Sequence, residues 1–149
     1  MINPLIMLHA ITGWFGVLAF LWVAVELIRA DKGSIARAHI GAVLGLITLL
    51  FSWAMGGYYY VSVYGPDVKP LVLQEAEWIH AIGMETKEHL FLFLPFLAIL
   101  EVALIKHYGT KIDRKTGIAI ALAIVIIGFI VAVEGHLVSS AARAALEVA

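Results

Sequence analysis

Four apolar runs decide what this chain can become. Each suits the roughly 20 residues needed to cross a hydrocarbon core. They run from about Pro4 to Ile28, from about Ala38 to Tyr60, around an apolar core from Leu90 to Ile105, and from about Thr116 to Ser139. The sequence predicts helices over about residues 4–28, 38–60, 72–107 (membrane core 90–105) and 116–139. All 149 residues then form a single transmembrane domain. The connections after the first and third helices are short. That predicts an all-α, integral membrane four-helix up-down-up-down bundle. The first run reads as a spanning helix rather than a cleaved leader: no Lys or Arg precedes Arg29 and the run is too long.

Composition supports a membrane class and removes others. Hydrophobic residues make up 62% of the chain and charged residues 14%, against roughly 45–50% and about 25% in soluble proteins. The formal net charge of −1 speaks against a nucleic-acid partner. The chain has no cysteine, so thiolate metal sites and iron–sulfur clusters are excluded. Any metal must be held by His, carboxylate, Met or Tyr.

Lys and Arg set the expected orientation. Arg29, Lys32, Arg37, Lys106, Lys111, Arg114 and Lys115 fall on one side; Lys69, Lys87 and Arg143 fall on the other. The positive-inside rule predicts both termini on the outer or periplasmic side of a plasma or inner membrane. Tyr58, Tyr59, Tyr60, Tyr64 and Trp78 gather on that outer side, as an interfacial aromatic belt would.

The middle connection carries Gly65-Pro66-Asp67 and then Pro70, which read as a turn and a second break. Gly41, Gly45, Thr48, Ser52 and Gly56 form a small-residue stripe along the second helix, which lets helices approach closely or admits a flat cofactor. His9, Thr12, Gly13 and Gly16 share a face of the first. Pro95 is expected to kink the third.

The chemistry lies in the histidines. His9, His89 and His136 come from three different predicted helices, and antiparallel folding brings them to similar depth near the outer face. Ionisable residues inside membrane segments are costly and mark function. Glu85 and His89 are four apart and point from one face; Glu88 lies near the same side. A carboxylate one turn away ligates the same metal or orients the imidazole. Lys87 is expected to point elsewhere, towards headgroups or an acid partner. Glu134 and His136 lie about 200° apart around a helix. His80 reads as an interfacial residue. Glu26 and Glu101 read as partners of Arg29 and Lys106.

Four functions fit, the plainest of them a structural subunit in a larger respiratory or reductase complex. The first is haem b held between two of His9, His89 and His136, with electron transfer to or from partner subunits. His39 and His107 offer a second, inner pair; His107 shares a face with His89 at roughly 27 Å. In its bundle and its histidines the chain resembles the four-helix integral membrane cytochromes b, though it lacks their usual pair of ligands on one helix. The second is a non-haem site built from His9, Glu85, Glu88, His89 and His136 and suited to Fe, Cu or Zn, serving a membrane oxidoreductase or hydrolase. The third is ion or proton transport between ionisable groups at the two rims. With no soluble domain, the expected partners are the lipid bilayer and either further copies of the chain or the subunits of a larger respiratory complex.

Overall fold

Among residues 3–148, which the computed structural model describes, three helices are long and apolar enough to cross a membrane. They are α1 (Pro4–Arg29), α2 (Ser34–Lys111) and α3 (Arg114–Val148). The four-helix up-down-up-down bundle is corrected to an all-α three-helix bundle. The resemblance to the four-helix cytochromes b falls with it.

The correction comes from the middle connection. Gly65-Pro66-Asp67 reads as a turn, but the backbone stays helical there. The N-terminal arm of α2, Ser34–Tyr59, passes into wide π-type turns over Tyr60–Val68. Lys69–Trp78 follows, with Pro70 in its first turn, where a missing amide forfeits little. Further π-type turns over Ile79–Met84 lead into the C-terminal arm, Glu85–Tyr108, and a short 3₁₀ turn at Gly109–Lys111. A backbone shielded from water must satisfy its own N–H and C=O groups, and continued helix does so. Direction changes at Ala76, whose dihedrals (φ −153°, ψ 56°) are not helical. The two arms of α2 thereby pack on one another as well as on α1 and α3. The C-terminal arm runs on through Pro95.

Local chemistry explains the helix ends. The Asn3 side chain accepts from the Leu5 amide at 2.9 Å, and Pro4 occupies the first turn of α1. Ala30 closes α1 in the left-handed region (φ 57°), with its N–H donating to the Glu26 carbonyl. Arg114 of α3 donates to the Leu27 carbonyl at 3.0 Å, satisfying an orphan at the end of α1. Asp113 precedes α3 and accepts from the Thr116 hydroxyl at 2.7 Å.

The main core joins Phe20, Val23, Ala24 and Leu27 of α1 to Ala38, Ala42, Leu49, Leu94, Ala98 and Ile105 of α2, and to Ala121 and Ile124 of α3. The small-residue stripe packs against α1: a methyl on Gly45 would lie 2.6 Å from Phe20. A second, smaller core joins Tyr64, Val68, Val72 and Met84 of the bent part of α2 to Val138 and Ala145 of α3. Outside these cores the surface is apolar, with Phe15, Ile28, Trp53, Phe93, Phe96 and Phe129 all at least half exposed. On a soluble protein that much exposed aromatic surface would drive aggregation. On an all-α membrane-embedded protein it faces lipid.

Candidate cofactor cavity

Asn3 at the start of α1 and Glu147 at the end of α3 line the same cavity, so both chain ends lie at one end of the bundle. The cavity holds about 1060 Å³, at the upper limit of the range of about 300–1,000 Å³ usual for small-molecule and cofactor sites. Its walls are α1, both arms of α2, the bent segment between those arms, and α3.

His9 and His89 both line it. His9 is half-buried, and its Nδ1 lies 2.8 Å from the Ser52 carbonyl oxygen. A carbonyl only accepts, so Nδ1 carries the proton and Nε2 keeps its lone pair. Ser52 reinforces this pose by donating its hydroxyl to the His9 carbonyl at 2.8 Å. His89 is exposed at the cavity wall, and its Nδ1 lies 2.6 Å from the Glu85 carbonyl oxygen, one turn back. The same tautomer follows. No hydrogen bond from the described residues reaches either Nε2. Glu85 orients His89 through its main chain; its exposed carboxylate lines neither cavity.

Two glycines shape the wall. Gly56 makes room for His9, since a methyl there would sit 2.6 Å from Nδ1. Gly57 lines the cavity with nothing within 4 Å of its missing methyl. The wall is open at that point.

His136 is exposed and lines a smaller adjoining cavity of about 340 Å³, which also reaches His9. Glu88 lines the larger cavity. His39 and His107 line neither cavity. His39 is half-buried with Nε2 buried and unpartnered, and His107 is exposed, its ring edge-on to Tyr108 at 4.7 Å. Among the described residues no three His, Cys, Asp or Glu side chains gather closely enough to hold a metal ion. His9, Glu85, Glu88, His89 and His136 therefore do not converge as a set.

Two basic residues at the cavity escaped the sequence reading. Lys87 does not turn out to the headgroups. It lines both cavities and is half-buried, its Cε 3.5 Å from where a methyl on Gly135 would sit. Its spacing from His89, two residues along a helix, suggested the opposite face. Arg143 also lines both cavities, donating to Ser139 at 2.8 Å and Ser140 at 3.1 Å. Its i, i+3 and i, i+4 spacing to two serines was a readable signal. His80 is buried beside Tyr64, whose hydroxyl lies 3.2 Å from Nδ1.

Comparison of the chain with protein-family models, with curated proteins and with solved structures finds no match.

Proposed function

We propose that this all-α membrane-embedded protein is a redox carrier that holds haem b in the larger cavity between His9 and His89. The observation that carries the reading is the pair of imidazoles on α1 and α2. Each has Nδ1 tied to a main-chain carbonyl, neither Nε2 takes a hydrogen bond from the described residues, and both residues line one cavity. In metal-ligating histidines such a hydrogen bond, made by the ring nitrogen away from the metal, fixes ring orientation and tautomer. Bis-imidazole ligation needs two side chains only, so it does not require a converging cluster of three.

The surroundings suit such a group chemically. The open patch at Gly57 leaves space for a flat macrocycle. Lys87 and Arg143 supply cations for its carboxylates. Tyr59, Tyr60 and Tyr64 line the wall with aromatic surface. Haem bound there supplies one-electron chemistry. The Lys and Arg asymmetry favours the cavity end as the outer end, so electrons would be exchanged with a partner at the outer face.

The test is the absorption spectrum of the purified protein. A Soret band with reducible α and β bands is expected, lost in His9→Ala and His89→Ala and kept in His136→Ala. If haem-supplied protein shows no Soret band, or if His89→Ala keeps full haem content, the reading is wrong.

A further inference from the structure

Glu101 stands apart from everything above. It lies in the C-terminal arm of α2 and its side chain is 0% exposed. Neither carboxylate oxygen has a hydrogen-bond partner. Its surroundings are apolar. A methyl on Gly117 of α3 would meet Oε1 at 3.4 Å, and the same point lies 2.8 Å from Leu27 and 3.5 Å from Ile112. Ala98 and Ile105, one turn away on either side, belong to the main core.

The ionisable groups at this end of the bundle form no hydrogen bond or ion pair with it. On α1, Glu26 is taken up by Arg37 and Trp22. On α3, Arg114 donates to the Leu27 carbonyl and to Ser34. On the N-terminal arm of α2, His39 has its Nε2 buried and unpartnered. Lys106, the expected partner from sequence, is exposed and forms no ion pair with Glu101.

An ionised carboxylate without a partner in such a place is very costly, and a group in that position neutralises instead. A purely structural role would be served better by leucine, because a buried polar group with no partner weakens a core. Among simple cations, metal ions need several oxygen ligands, which one carboxyl does not supply. A proton needs only one.

We propose that Glu101 is a proton-binding site, a carboxylic acid held neutral inside the bundle whose proton exchanges with the Lys- and Arg-rich end. That end is the nearer one. Seven residues separate Glu101 from Tyr108, about 10 Å along the helix, whereas Glu85 is about 24 Å away.

The experiment uses the intact protein at neutral pH and does not depend on haem, so it can be repeated on His89→Ala. A lipid-soluble carbodiimide reacts with protonated carboxyls in apolar surroundings: the acid oxygen bonds to the central carbon and the proton passes to nitrogen. Mass spectrometry should find the adduct at Glu101, and a water-soluble carbodiimide should leave Glu101 unmodified. The infrared C=O band of an un-ionised carboxyl should be present and should vanish in Glu101→Gln. Labelling of other carboxyls but not Glu101, equal labelling by both reagents, or an unchanged infrared band in Glu101→Gln would each overturn the proposal.

Discussion

Replacing Gly56 by alanine tests the way the bundle holds His9. The new methyl would lie 2.6 Å from Nδ1, 2.8 Å from Cε1 and 3.2 Å from Cγ of the imidazole. The shortest of these is about 1 Å inside ordinary van der Waals separation. The ring must swing aside, and its hydrogen bond to the Ser52 carbonyl breaks. Losing that bond costs about 0.5–1.5 kcal/mol. Overpacking adds about 1–3 kcal/mol, and the better helix propensity of alanine returns about 1 kcal/mol. The net is a destabilisation of about 0.5–3.5 kcal/mol. Gly57→Ala is the control, since nothing lies within 4 Å of its methyl. Without cofactor it should be neutral or stabilising by up to about 1 kcal/mol. Thermal unfolding of both variants in detergent measures the difference, and the nitrogen shifts of His9 report its hydrogen bond. A Gly56→Ala protein as stable as Gly57→Ala, with His9 shifts unchanged, would refute the packing argument.

Two further predictions concern the loop end. The Glu26 carboxylate is buried and accepts from Arg37 at 2.9 Å and from the Trp22 indole at 3.0 Å. Arg37→Ala leaves that charge stranded, so it should lower the unfolding temperature more than the double variant Glu26→Gln/Arg37→Ala does; a double variant less stable than Arg37→Ala would contradict this. Asp113 lies in the loop before α3, and the hydrogen bond from the Thr116 hydroxyl, with smaller help from the Lys115 and Thr116 amides, holds its carboxyl below the usual range. The folded value is depressed, so the stabilisation is complete above the unfolded value of about 3.9 and is lost as pH falls through the folded one. The stability gap between wild type and Asp113→Ala should be flat at neutral pH and close in acid, whereas a gap that grows in acid would have the wrong sign.

Position along the bundle was legible in the sequence because it depends on counting. The apolar runs are long enough to span, and the charged residues cluster at their ends. Antiparallel packing then brings Asn3, His9, His89 and Glu147 to one cavity, all at the same end. The middle connection was not legible. Gly65, Pro66 and Pro70 read as turn residues, but the chain keeps its helical bonds there and widens its turns instead. Turn propensity competed with backbone satisfaction and lost. Similarly, Glu26 was assigned to Arg29 by proximity in sequence, yet Arg37 reaches it across the tight turn while Arg29 bridges to Asp31 at 3.3 Å.

The direction in which each side chain points was the harder quantity, and Lys87 shows why. Each residue turns an α-helix by about 100°, so a face is predictable only while the period holds. The π-type turns at Ile79–Met84 immediately precede Glu85, and each such turn takes up an extra residue before the α-helical period resumes. The period inside the C-terminal arm survives: Glu85 and His89 are one turn apart, and the hydrogen bond between them is an i, i+4 contact. The phase of that arm relative to α1 and α3 does not survive, because it depends on how many wide turns come before it. Reasoning within one helix therefore placed Glu85 and His89 on one face, but expected the carboxylate where the main-chain carbonyl is the partner. The same reasoning set Lys87 on another side from His89, towards headgroups or an acid, and so missed that it shares the cavity with His9.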